Sequence, residues 1–130
     1  LIGRIRTAVD PEADWDLQAR QAVDAYVDHI QSRPAITLSW IRELPALSES
    51  ARPVLRRGLG RLTSMIVDLS GNPGFRRAGI APIPHAMAVI LVGGLRELTA
   101  QTVEDGSPVT EIIEPTLAVS LAILGPKTRV

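Results

Sequence analysis

Apolar residues recur at spacings of three and four along nearly the whole chain, and the two-residue alternation of a half-buried strand is missing. The pattern predicts helices, separated by breaks of proline, glycine and asparagine. Trp15, Ala19, Ala22, Val23, Tyr26, Val27 and Ile30 form one stripe on a helix that ends near Ser32. Asp10-Pro11-Glu12 is placed to start it, with a capping carboxylate, a proline in the first turn and an acid near the positive helix end. Arg33-Pro34 interrupts the stripe, and Pro34 opens a short helix through Ile36, Trp40, Ile41 and Leu44 that Pro45 ends. Ser48 or Ser50 caps the next helix. There Leu55, Leu59, Leu62, Ile66 and Leu69 fall on one line with Met65 beside it, and Arg56, Arg57, Arg61 and Asp68 make the opposite, wet side. Gly71-Asn72-Pro73-Gly74 closes that helix through residues that tolerate the left-handed conformation of a helix end. Phe75 to Pro84, broken at Gly79, Pro82 and Pro84, is an irregular link.

A long helix follows from about Pro82 to Glu104, then the loop Glu104-Asp105-Gly106-Ser107-Pro108. In it Gly106 is the terminator, Ser107 the next N-cap and Pro108 the first helical position. So short a link makes the flanking helices antiparallel neighbours. The last helix runs from Pro108 to about Leu124, with a kink or break at Pro115. Two runs here, Ala86 to Leu95 and Pro115 to Gly125, are almost purely apolar. Each stops near half of the roughly 20 residues that a membrane span needs, so both read as buried helices.

A helix that is apolar on every side must be covered all round. Three or four other helices in a chain of this size cannot do that for both runs, and the natural remedy is a second copy, the two hairpins pairing across a two-fold axis. Ala86, Ile90, Gly93, Gly94 and Glu97 on the first helix, with Ile112, Thr116, Val119 and Ile123 on the second, are the residues expected at that interface. Gly93-Gly94 in mid-helix costs roughly 1 kcal/mol per glycine against alanine, and close helix approach is a common reason to tolerate it. The expected fold is therefore all-α: an antiparallel bundle of five to six helices whose last two form a four-helix-bundle homodimer interface.

Composition adds mostly exclusions. The 130 residues carry 14 Lys plus Arg against 14 Asp plus Glu, a formal net charge of zero, so there is no evident nucleic-acid surface. An apolar fraction of 45% argues against disorder. With no cysteine there is no disulfide framework, thiolate metal site or cysteine nucleophile. Two histidines without an HExxH or Glu-x-x-His pattern leave no expected metal site, cofactor or catalytic set. Glu111 and Glu114 near a helix start are accounted for by the helix dipole. Gly58-Leu59-Gly60 lacks the third glycine and preceding strand of a dinucleotide fingerprint. The expected organisation is one domain over residues 1–130, cytoplasmic, beginning at Leu1 as a fragment or processed product.

The stretch Ala88 to Gly106 (AVILVGGLRELTAQTVEDG), followed by Ser107-Pro108 and a second apolar helix, resembles the end of the regulatory domain of TetR-type transcriptional regulators. So does the order before it: a helix holding Ala25-Tyr26-Val27, a break at Arg33-Pro34, a short helix with Arg42-Glu43-Leu44, and a long helix beginning near Ser48. The resemblance covers about Asp14 to Leu124 through loose motifs.

In that family a three-helix DNA-binding domain precedes the regulatory domain, and the final two helices form the homodimer bundle. The resemblance implies that residues 1–9 are the tail of the connecting helix and that operator DNA is reached only through the missing N-terminal domain. It also implies a small apolar effector, held by Tyr26, Trp40, Leu62, Met65, Ile66, Phe75, His85 and Met87. His29, beside Asp28, is expected on a wet face instead. Arg52, Arg56, Arg57 and Arg61, like Arg76-Arg77, read as solvated helix surface. Two alternatives stay open: a stand-alone helical dimer that binds an apolar small molecule or a protein without regulating transcription, and a small helical-bundle enzyme. About 50 upstream residues with helix-turn-helix spacing would decide for the regulator.

Overall fold

A computed structural model describes residues 1–43 and 49–127, and every regular element among them is helical. Seven α-helices follow in order: α1 (Ile2–Ala8), α2 (Trp15–Ser32), α3 (Pro34–Leu38), α4 (Ala51–Leu69), α5 (Pro73–Arg77), α6 (His85–Glu104) and α7 (Ile113–Leu124). A π-turn over Ser39–Glu43 continues α3, and a 3-10 turn over Val109–Ile112 leads into α7. The expected ending at Leu44 and Pro45 and a cap at Ser48 fall outside the described residues; Ser50 occupies the N-cap position of α4.

The central element is α2, which touches α1, α3, α5, the 3-10 turn and α7. Its stripe of Ala19, Val23, Tyr26, Val27 and Ile30 is buried as the spacing predicts. Ile5 and Val9 of the first segment, Met65 of α4, and Val109, Ile112 and Leu117 near the end complete the main core around it. On the other side of the molecule α6 packs on α4, α3, the π-turn and α7.

Several boundaries differ from expectation, each for a local reason. Asp10-Pro11 does not open α2: the Asp10 carboxylate accepts from the Glu12 amide at 3.0 Å and folds the segment into a turn, and α2 starts at Trp15 behind Asp14. Gln18, 2% exposed, fixes that turn by donating to the carbonyls of Pro11 at 3.1 Å and Ala13 at 2.7 Å. Gly71 and Asn72 do not take the left-handed conformation; Asn72 is extended and serves as N-cap of α5, a short helix inside the link expected to be irregular. Among the described residues positive φ is confined to Gly79 (76°) and Gly106 (72°). Gly106 ends α6 as read from the sequence: its amide donates to Val103 O at 3.1 Å and that of Ser107 to Thr102 O at 3.1 Å, satisfying two otherwise orphaned carbonyls. Pro108, not Ser107, caps the next turn. Pro115 falls in the first turn of α7, where its missing amide has no intrahelical partner to lose, so the break sits just before it as the change from 3-10 to α.

Within one chain Ala86 to Leu95 is covered on one side only, on a helix that runs to Glu104 as the sequence predicts. The 20 residues His85–Glu104 include an 18-residue window with a mean hydropathy of 1.2, long and apolar enough to cross a bilayer by length and composition alone. Ala88, Leu91 and Val92 are buried in this chain, but Val89 is 48% and Ile90 68% exposed.

Candidate ligand cavity and a bare helix face

A cavity of about 560 Å³ opens between α1, α2, the α3 and π-turn segment, α4 and α6. From α1 and the residue before it come Leu1, Ile2 and Gly3; from α2 and its C-cap come Tyr26, His29, Ile30 and Arg33. Ile36, Thr37, Trp40 and Ile41 form the next wall, Leu55, Gly58, Leu59 and Leu62 of α4 another, and Arg96 is the contribution of α6. The volume is in the range that takes a small organic molecule, and the walls are mostly apolar.

Of the residues that the resemblance pointed to, the cavity brings together Tyr26, Trp40 and Leu62. The other five lie elsewhere. Met65 is 1% exposed in the main core and Ile66 packs against the same cluster, because Ile5 and Val9 of the first segment fill the space beside them. Only Leu1 to Gly3 reach the level of Leu55 to Leu62, and there the space stays open. Phe75 is buried against Trp15, the ring centroids 6.3 Å apart, under α5. Met87 is half-buried on α6, and His85 is exposed beside Arg57 and Arg61 in a shallow depression.

His29 was expected on a wet face and is in the wall of the cavity. Its Nδ1 is sealed from solvent and has no hydrogen-bond partner. Burial, helped by the positive charges of the amino group at Leu1, Arg4 and Arg33, pushes the imidazole pKa below its ordinary value. Tyr26 presents its ring, not its hydroxyl. That hydroxyl lies 2.6 Å from Thr99 Oγ1, and since Thr99 gives its single proton to Leu95 O at 2.7 Å, Tyr26 is the donor. Burial raises the phenol pKa, opposed by the Thr99 contact and by Arg96.

Sequence reasoning weighed His29 and set it aside, and passed over Arg33, Gly58 and Arg96 as cavity residues. Two of them carried a signal: Gly58 stands three residues after Leu55 on the apolar line of α4 and brings no volume, and Arg96 interrupts an apolar run between Leu95 and Leu98. Among the described lining residues there is no carboxylate and no serine, and among all described residues no group of three His, Asp or Glu converges on a metal position. The mostly apolar walls suit the cavity to holding a molecule.

On its other side α6 joins α7 in an apolar face. Val89, Ile90 and Val119 are between 48% and 68% exposed. A groove of about 270 Å³ runs between the two helices past Ile90, Gly94, Pro115, Thr116, Val119 and Ile123. Of the residues expected at a dimer interface, Ala86, Ile90, Gly93, Gly94 and Val119 lie open on this side, and Ile123 is half-buried. Thr116, 6% exposed, lies in the floor of the groove, whereas Ile112, 1% exposed, turns into the main core because the 3-10 turn winds it inward. Glu97 is exposed but engaged by Arg42. A Cβ added at Gly93 or Gly94 would meet nothing within 4 Å, so no packing within the chain requires glycine there.

Comparison with protein-family models, with curated proteins and with solved structures returns no match.

Proposed function

We propose that this chain is the effector-binding and dimerising domain of a TetR-type transcriptional regulator. The observation that carries the reading is the double duty of α6: Arg96 on this helix enters the cavity wall while Ile90, Gly93 and Gly94 lie open on the apolar face. A molecule in the cavity and a second copy on the face would then act on the same rigid rod, and α1, expected as the tail of a connecting helix, contributes Ile2 and Gly3 to the same cavity. Ligand binding that favours one spacing of the two connecting helices shifts the dimer toward it. Recognition helices set about 34 Å apart fit successive major grooves, so that shift alters operator affinity in the full-length protein.

The second copy is favoured over other occupants of the face because the two bare glycines allow backbones to approach closely, while the α6 and α7 pair offers the same strip to itself across a two-fold axis. Sedimentation equilibrium of the chain and of Ile90→Glu tests this. The dimer is expected for the native chain and a monomer for the variant, with unchanged helical circular dichroism. A native chain that stays monomeric at its highest soluble concentration overturns the reading.

A further inference from the structure

The cavity departs from a plain apolar pocket in its charges, and these specify what it takes. Arg33 stands exposed at its rim and Arg96 half-buried in its wall, and among the described residues neither forms an ion pair. Among the described residues Arg6 pairs with Asp68, Arg20 with Glu114, Arg42 with Glu97 and Glu104, and Arg77 with Asp14, while Arg4, Arg52, Arg56, Arg57, Arg61 and Arg76 form no ion pair either, so Arg33 and Arg96 are set apart by their place at this cavity. Glu97, next to Arg96 in the chain, is already held by Arg42 at 2.8 Å. No carboxylate lines the cavity among the described residues, and the five intervening residues Leu44 to Ser48 contain none. Beside them in the wall stands His29, whose Nδ1, sealed from solvent, does not face the open space. A half-buried guanidinium with no acid opposite it attracts an anion more strongly than the rim arginine, which water already solvates.

We infer that the cavity binds an elongated apolar molecule ending in a single carboxylate, its tail along Trp40, Leu55, Leu59 and Leu62 and its head between Arg96 and Arg33. A guanidinium presents a planar fork that matches a carboxylate, and a half-buried one holds it more strongly than one in open water. A neutral molecule would leave both arginines unmatched, and a cation would be repelled. The inference rests on the effector-binding reading and adds the ligand's charge to it.

The test compares three probes of one chain length, dodecanoate, dodecanol and dodecylamine, by isothermal titration of the purified chain. Dodecanoate is expected to bind about tenfold or more tightly than dodecanol, the worth of one charge-assisted hydrogen bond, and dodecylamine most weakly. In Arg33→Gln/Arg96→Gln the advantage of the carboxylate over the alcohol should vanish while the alcohol binds as before. Gly58→Leu locates the site: a side chain there meets nothing within 4 Å of its Cβ, improves the helix and enters the cavity, so all binding should be lost from a folded protein. Equal affinity for acid and alcohol, or preference for the amine, overturns the charge assignment and leaves the effector cavity standing. Binding that survives Gly58→Leu, or no binding by any probe, overturns both, and the dimerisation reading is judged separately by sedimentation.

Discussion

Arg42 grips Glu97 with both terminal guanidinium nitrogens, at 2.8 and 2.9 Å, and reaches Glu104 one side over at 2.9 and 3.1 Å. This clamp ties the π-turn to two successive turns of α6. The π-turn also carries Trp40 and Ile41, so the clamp fixes one wall of the cavity against the helix that holds Arg96. Neither end of it is buried, and its worth is that of an exposed network with good bidentate geometry, reduced by salt.

The clamp predicts an acid response. Hydrogen bonds from Arg42, then from Gln101, hold the Glu97 carboxyl down at about 2, well under its ordinary value of 4.5. A carboxylate whose pKa is lowered by folding stabilises the native state above its unfolded pKa, and that contribution is lost as the pH falls through the folded one. The window is therefore from about pH 4.5 down to about 2. In Glu97→Gln the loss across this window should be smaller, and Arg42→Ala should behave likewise. Acid titrations followed by circular dichroism decide it; superimposable curves for native and variant chains would show that the clamp carries no linkage.

Gln18 predicts a larger effect from a quieter residue. Its side-chain nitrogen donates to the carbonyls of Pro11 and Ala13, and its oxygen accepts from the Asn72 side-chain amide at 3.0 Å. One buried amide thus joins the turn before α2 to the cap of α5. Gln18→Leu keeps much of the volume and orphans those groups, at a cost of about 1 to 3 kcal/mol by urea denaturation. Asn72→Ala should cost less, since its partner retains two other bonds, and the double variant should cost less than the sum of the singles.

How much of this the sequence discloses depends on whether a residue's role is local. Gly106 is legible because glycine alone takes that conformation without strain, and the α2 stripe because burial repeats with the helix. Asp10-Pro11-Glu12 misleads, since the same three residues that suit a helix start also suit a turn, and Gln18, eight residues after Asp10, chooses between them. The cavity divides the α4 line: Leu55, Leu59 and Leu62 face open space while Ile66 and Met65 face α1, and periodicity cannot tell a void from a contact. His29 reads as wet from its neighbour Asp28, whereas it lies in the cavity wall with residues of α1 and α3.

The glycines provide the sharpest contrast in expected sign. A Cβ at Gly74 would overlap the Ala13 carbonyl oxygen and the Gln18 side-chain nitrogen, and backbone cannot yield as a side-chain tip can, so Gly74→Ala should destabilise by about 1 to 3 kcal/mol or more. At Gly93 and Gly94 the added methyl meets open space in a continuous helix, and each alanine should stabilise the isolated chain by up to about 1 kcal/mol. The same methyls stand on the face proposed to meet a second copy, where they would hold the two backbones apart. Gly93→Ala/Gly94→Ala should therefore raise the urea midpoint at dilutions where the chain is monomeric and weaken association in sedimentation. A variant that is both more stable as a monomer and as tightly dimeric as the native chain would show that the partner does not approach these glycines closely.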